Sequence, residues 1–116
     1  MTLERMKCTP PAAGDPPLSS PEAAALLPQI PGWTLTGEEL IRDLAFADFT
    51  KAMALVNRVA ALAERENHHP GIHIDYNKVR LTLRTHKING LSLNDFILAA
   101  KVNRMIDPPD SEVKDG

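Results

Sequence analysis

Three of the four histidines of this 116-residue chain fall within six residues, at His68, His69 and His73, and the fourth follows at His86. Imidazole is the side chain whose unperturbed pKa lies nearest neutral pH. A cluster of imidazoles is therefore an acid/base site, a metal site or a coincidence of loop composition. The stretch that carries them starts at Glu64 and passes through Asn67-His68-His69-Pro70 and Tyr76-Asn77-Lys78-Val79. It continues through Arg84-Thr85-His86-Lys87 and Gly90-Leu91-Ser92 to Asp95.

Each reading makes its own demand on the spacing. Zinc would want a His-x-x-x-His pair on a helix or a pair of cysteines, and neither is present, so no metal is expected. Solvated loop histidines would ask for nothing, and that suits His73, which alternation places on the outward side of a strand. General acid/base work on a small molecule needs two or three imidazoles brought together. A carboxylate at Asp95 could assist them, although in the first turn of a helix it is also favoured by the helix dipole alone. No covalent nucleophile stands out. Cys8 lies in a proline-rich tail, where an inert exposed thiol is the simpler reading, and no serine sits in a tight elbow.

The elements that must position these groups can be read from patterning. Residues 1–17, with Pro10, Pro11, Pro16, Pro17 and Gly14, are expected to be a disordered tail. Ser20 is a good N-cap and Pro21 suits the first turn of a short helix ending before Pro28. Pro31-Gly32 turns the chain into a strand at Trp33–Thr36. Gly37-Glu38 turns it again into Glu39–Phe46, with Leu40, Leu44 and Phe46 on one face. Asp48 caps a long helix over 49–67. Its core stripe is Phe49, Ala52, Met53, Val56, Ala60 and Ala63. A second stripe of Leu55, Val59 and Leu62 asks for cover from a second subunit or from deeper packing within the chain. Strands at Ile72–Tyr76 and Val79–Thr85 follow, with Val79, Leu81 and Leu83 inward. A two-residue turn at Asn77-Lys78 would set Tyr76 against Val79 and Asp75 against Arg80, and would carry His86 back to His69. Ser92 then caps a last helix through Phe96, Ile97 and Val102 to about Ile106, with Asp95 at capping-box spacing. The order α-β-β-α-β-β-α predicts an α+β domain over 18–107: a four-stranded antiparallel sheet with helices on one face. Residues 108–116 are expected to be a polar tail.

The totals exclude several classes. A formal charge of −2 gives no broad positive field, so no direct nucleic-acid partner is expected. No apolar run approaches the ~20 residues that span a membrane. The opening Met-Thr-Leu-Glu-Arg has an early acid and no apolar core of a secretory signal. The lone Cys8 rules out an intrachain disulfide and fits the reducing cytoplasm.

The ordered set Glu64-x-x-x-His68-His69-Pro70, Tyr76-Asn77-Lys78-Val79, Thr85-His86, Gly90-Leu91-Ser92 and Asp95 resembles the signature of the pterin-4a-carbinolamine dehydratases. Pro31-Gly32-Trp33, Phe46-x-Asp48-Phe49 and Asp95–Lys101 extend the resemblance across about residues 18–107. It implies dehydration of 4a-hydroxytetrahydrobiopterin to quinonoid dihydrobiopterin without metal or cofactor, in tetrahydrobiopterin recycling. It implies His68 and His86 as the acid/base pair, His69 as the group that orients the pterin, and Asp95 as support. Asn67, Pro70, Arg84, Thr85 and Lys87 would help bind substrate. Asn67 and Lys87 replace acids of the animal enzymes, which removes negative charge from the rim. The resemblance also implies a homo-oligomer, dimer or tetramer, using the second stripe of the long helix. Relatives that act as transcriptional coactivators or assembly factors make a non-catalytic binding role the alternative.

Overall fold

The computed structural model describes residues 2–106, so the expectation for 108–116 lies outside the described residues. Seven regular elements follow one another: α1 (Ser20–Leu26), β1 (Thr34–Thr36), β2 (Glu39–Ala45), α2 (Phe49–Glu66), β3 (Gly71–Asp75), β4 (Lys78–Leu83) and α3 (Leu93–Ile106). The strands form an antiparallel sheet in the order β1-β2-β4-β3, with the helices on one face. The predicted α+β architecture and element order are observed.

Alternation explains the sheet. Leu40, Val79, Leu81 and Leu83 point to the helices and are buried. Asp43, Lys78 and Arg80 point to the open face and are exposed. There Arg80 donates to both oxygens of Asp43 directly across the strands, at 2.7 and 3.0 Å. This bond to the guanidinium holds the Asp43 carboxyl below its ordinary range. Both groups are exposed, so the pair adds little stability.

The β3–β4 turn is not where the sequence places it. Asp75 pairs with Lys78, Ile74 with Val79 and His73 with Arg80, so the central residues are Tyr76-Asn77. Tyr76 takes φ of 54°, the left-handed region. The reason is long-range. Asn77 Nδ2 donates to the Phe46 carbonyl at 2.8 Å, and the Phe46 N–H donates to the Asn77 carbonyl at 2.8 Å. Asn77 is thus committed to bracing the end of β2. The register moves by two residues and every side chain keeps its face.

The Pro31-Gly32-Trp33 turn is pinned by α3. Asn103 Oδ1 accepts from Trp33 Nε1 at 2.9 Å and from Arg42 at 2.6 Å, while Asn103 Nδ2 donates to the Pro31 carbonyl at 2.9 Å. Gly32 has φ of 91°, and a Cβ there would meet the Arg42 guanidinium at 2.6 Å. Two local corrections follow the same chemistry. Ser19, not Ser20, caps α1, in a reciprocal capping box with Glu22. The segment after β4, where the sequence predicts a loop at Lys87–Gly90, carries a single turn of 3-10 helix at His86–Ile88.

The long helix α2 departs from expectation in which face it buries. Leu55, Val59 and Leu62 are 5%, 0% and 4% exposed, within the core of the single chain. They are not free for a second subunit. Phe49, placed in the core stripe by the sequence, is 48% exposed.

The N-terminal segment is docked rather than disordered. Leu3, 5% exposed, joins the core. Lys101 Nζ donates to the Glu4 carbonyl at 2.8 Å, and Arg104 pairs with the Glu4 carboxylate. Cys8 N–H donates to Glu66 Oε1 at 2.9 Å. Thr9 and Asn94 exchange two bonds, Thr9 N–H to Asn94 Oδ1 at 2.9 Å and Asn94 Nδ2 to the Thr9 carbonyl at 2.6 Å. Prolines forbid regular structure here, but bonds from backbone to distant side chains need none. Burial pushes the Glu66 carboxyl up, yet the Cys8 N–H and the charges of Lys101 and Lys7 outweigh it and hold it below its ordinary value. Burial, then the Glu66 carboxylate, pushes the Cys8 thiol up to about 12.

Leu3→Ala should cost about 2 kcal/mol and lower the Tm by roughly 8 °C, measured by thermal unfolding. The raised Cys8 value means that its contribution to docking is complete below its ordinary value of 9.0 and is lost as pH rises toward about 12. At pH 8, iodoacetamide should alkylate folded Cys8 at least ~100-fold more slowly than the same thiol in urea. Leu3→Ala should speed that reaction. Equal rates folded and unfolded would mean that the segment is not docked.

Candidate active site

Three chain ends meet at one place: the C-terminus of α2, the exit of β4 and the first turn of α3. The α2 helix stops because Asn67 adopts φ 54°, ψ 40°, a left-handed cap that Asn tolerates. The amides of Asn67 and His68 both close on the Ala63 carbonyl. Pro70 keeps His69 out of the helical region. The chain therefore turns with His68 inward and His69 outward: the His68 side chain is 11% exposed and that of His69 55%.

Asp95 lies beneath this turn and is 0% exposed. Its Oδ1 meets His68 Nε2 at 2.6 Å. Its Oδ2 accepts from Thr85 Oγ1 at 2.8 Å and from the Ser92 N–H at 3.0 Å. The Ser92 hydroxyl does not complete a capping box, because it bonds to Thr85 Oγ1 at 2.7 Å instead. A carboxylate only accepts, so in neutral His68 the proton sits on Nε2, and Nδ1 is the ring nitrogen that can take another. The two uses the sequence allows for Asp95, helix start and imidazole partner, are served by different oxygens.

His86 and Lys87 reach the site from a tight loop. Thr85 and Gly90 form an antiparallel bridge, with Thr85 N–H to the Gly90 carbonyl at 2.9 Å. Asn89, at φ 56°, closes the loop, and Ile88 is its buried anchor. A Cβ on Gly90 would meet Pro17 at 2.7 Å, so the N-terminal segment packs directly on the bridge. His86 and Lys87 are left exposed at the rim. Arg84 is held by Asn89 Oδ1 and lies 3.5 Å from Glu38, while its buried Nε has no hydrogen-bond partner among the described residues. His69 Nε2 meets Glu64 Oε2 at 2.6 Å, an exposed pair.

These groups border a cleft of about 270 Å³ lined by Asn67, His68, His69, Arg84, Thr85, His86, Lys87 and Pro11. Two larger hollows lie elsewhere. One, of about 440 Å³, is on the open sheet face beside His73 and the Asp43–Arg80 pair. The other, of about 610 Å³, lies between α2, α3 and the N-terminal turn. Size does not choose among them. Three imidazoles with a buried carboxylate behind one of them occur together only at the smaller cleft.

Of the sequence-predicted residues, the fold brings Asn67, His68, His69, Arg84, Thr85, His86 and Lys87 to the cleft, with Asp95 beneath. Pro70 shapes the turn and does not line it. His73 stands apart on the sheet face, as alternation predicts. The predicted meeting of His69 with His86 across the hairpin is replaced by a link from His68 through Asp95 to Thr85, since the register moved. Pro11 was missed, and no local signal marks it. Among the described residues no three His, Cys, Asp or Glu side chains gather as a metal cage, and no helix is long and apolar enough to cross a membrane.

The fold is that of a dehydratase family. The family model described as Pterin 4 alpha carbinolamine dehydratase matches residues 16–105, and the chain belongs to that family. A Dechloromonas aromatica relative named "Putative pterin-4-alpha-carbinolamine dehydratase" is 45% identical over 105 residues, 90% of this chain and 94% of the relative. A Xanthomonas campestris protein of the same name is 43% identical over 107 residues, 90% of this chain and 91% of its own. A Brucella melitensis crystal structure described as a transcriptional coactivator/pterin dehydratase superposes with a TM-score of 0.73 at 33% identity. The match covers 77% of this chain and 97% of that one. A pterin dehydratase-like RuBisCO assembly factor shares the fold at 22% identity and a TM-score of 0.54, over 65% of this chain and 87% of its own.

Asp95→Ala should destabilise the protein by about 3 kcal/mol, because it leaves the Thr85 hydroxyl, the Ser92 amide and the His68 ring N–H without their acceptor in a buried place. Urea unfolding reads this directly. A change below about 0.5 kcal/mol would show that Asp95 is not the shared acceptor.

Proposed function

We propose that this protein dehydrates 4a-hydroxytetrahydropterins, with 4a-hydroxytetrahydrobiopterin as the type substrate, to the quinonoid dihydropterin and water. The observation that carries the reading is the meeting of His68, His69 and His86 at one cleft, with His68 backed by buried Asp95. The reaction breaks the C4a–O bond and removes the proton from N5. The hydroxyl leaves as water only if an acid protonates it, and N5 needs a base. Imidazoles suit both steps near neutral pH. We assign the base to His68, because the Asp95 carboxylate stabilises the imidazolium that forms and keeps Nδ1 free in the neutral ring. His86 on the exposed loop is the acid, and His69 orients the pterin at the rim. Asn67, Arg84, Thr85 and Lys87 complete the binding surface. Both steps are proton transfers, so no cofactor or metal has a role. The work belongs in tetrahydrobiopterin recycling, and the lone cysteine fits a cytoplasmic setting.

We place self-association at β3 rather than on α2. β3 is an edge strand of the sheet. Ile72 on this strand is 37% exposed, and Tyr76 in the turn that follows it is 63% exposed. An edge with free backbone groups and apolar side chains can pair with a second copy of itself. Sedimentation equilibrium should give a dimer or tetramer, and Ile72→Lys should shift it toward monomer. A parent that is monomeric at micromolar concentration would remove this assignment.

The description of the Brucella structure as both coactivator and dehydratase supports a second reading, binding without catalysis on the same fold. One assay separates the two. Chemically generated 4a-hydroxytetrahydropterin is followed by absorbance with the parent, His68→Ala, His86→Ala and the double variant. Each single variant should lose at least tenfold in turnover, since a general acid or base contributes ~100-fold or more. Equal decay with parent and double variant would sink the dehydratase reading and leave the binding role.

A further inference from the structure

The cleft has one wall that comes from outside the matched region of the family model, which begins at residue 16. Among the cleft's lining residues, Pro11 is the single apolar side chain; Asn67, His68, His69, Arg84, Thr85, His86 and Lys87 are all polar. A pterin ring system offers polar edges and less polar faces, and in the carbinolamine the tetrahedral C4a puts its hydroxyl on one face and leaves the other to be covered. Sites for such ligands are mostly apolar, with a few placed polar groups. Polar side chains around this cleft can serve the edges. Beside the imidazole rings, Pro11 is the one aliphatic surface in the lining that can cover a face.

The segment that presents Pro11 is held at both ends. On one side, Cys8 N–H bonds to Glu66 at 2.9 Å, and Thr9 and Asn94 exchange two bonds at 2.9 and 2.6 Å. On the other, Leu18 N–H donates to the Leu91 carbonyl at 2.8 Å. The anchor residues are chain neighbours of the site itself: Glu66 precedes Asn67-His68, and Asn94 precedes Asp95. The strap therefore ties the end of α2 to the start of α3, the two elements that carry the base and its carboxylate. Pro11 also borders a second hollow of about 230 Å³ under the strap, lined in part by Ile88 and Leu93. It is the one residue that lines both spaces, which makes its ring the natural partition between them.

We infer that the N-terminal strap is a wall of the active site, and that Pro11 is a specificity-determining residue that covers one face of a bound pterin ring. The inference rests on the pterin reading of the cleft. Losing the partition opens the cleft to the hollow behind it. That weakens ring binding and leaves the imidazoles that move the protons in place. Pro11→Ser should raise KM for the carbinolamine by about fivefold or more and keep kcat within about twofold, the mark of binding shared by substrate and transition state. Pro11→Val, which restores an apolar surface, should bring KM back toward the parent.

A binding readout makes the test independent of turnover. Cys8 sits on the strap three residues before Pro11, so its alkylation reports strap opening. Saturating 7,8-dihydrobiopterin should slow iodoacetamide labelling of Cys8 at least threefold in the parent, and much less in Pro11→Ser; circular dichroism checks that both are folded. An active parent whose KM and Cys8 protection are the same in Pro11→Ser overturns the wall and leaves the dehydratase reading intact. An inactive parent whose Cys8 is protected by the pterin, with protection lost in Pro11→Ser, supports the wall and overturns the dehydratase. Neither activity nor protection overturns both.

Discussion

The fully buried carboxylate of Asp95 is the constraint on which the site depends. A charge out of water is costly unless strong hydrogen bonds replace its hydration. Asp95 has three: the Ser92 amide, the Thr85 hydroxyl and the His68 ring, with the positive end of α3 adding to them. Each partner belongs to a different piece of the chain. Satisfying one carboxylate therefore fixes the first turn of α3, the exit of β4 and the turn after α2 relative to one another. The same bonds that make the burial tolerable set the tautomer of His68. Structure and chemistry are not separable here, because they share the two oxygens of one side chain.

Around this buried centre the rim is built from groups that are free to be wet. His69 and His86 are exposed, and the acids near them are already engaged: Glu64 with His69, Glu38 with Arg84. The lining itself carries no carboxylate. Replacing acids by Asn67 and Lys87, relative to the animal enzymes the sequence resembles, leaves Arg84 and Lys87 as the permanent charges of the lining. Such a rim tolerates a neutral or anionic substituent on the pterin better than a cationic one. In the proposed dehydration the imidazoles suffice for the chemistry, and the charges of the rim are then what would discriminate among pterin substituents.

Stability follows the same economy of shared groups. Asn103 fastens the Pro31-Gly32-Trp33 turn, Asn77 braces β2 against the β3–β4 turn, and Asn94 holds the strap. The side-chain amides of Asn103 and Asn94 use both donor and acceptor, so each satisfies at least two otherwise stranded backbone or ring groups at once, while Asn77 pairs with Phe46 through one side-chain and one backbone bond. The apolar faces of α2, α3 and the sheet supply the bulk of the burial. These amides decide where irregular segments lie on that core.

What the sequence by itself determined was whatever depends on near neighbours. Alternation at Val79, Leu81 and Leu83, the cap at Asp48, the left-handed stop at Asn67 and the breaking prolines are local, and the α+β order could be read from them. The histidine cluster and Asp95 were legible as chemistry for the same reason, and the resemblance arranged them into a site. Tertiary structure alone decided the rest. A slip of two residues in β3–β4 leaves every side chain on its own face, so patterning cannot see it, and only the Asn77–Phe46 contact chooses. Proline content correctly denied the N-terminus a helix or strand, but Cys8 and Thr9 find partners 58 and 85 positions away. Leu55, Val59 and Leu62 could have faced a partner or their own core until the chain closed over them. Pro11 reads as filler in a tail, and it becomes a wall only because Glu66 and Asn94 draw that tail across the cleft.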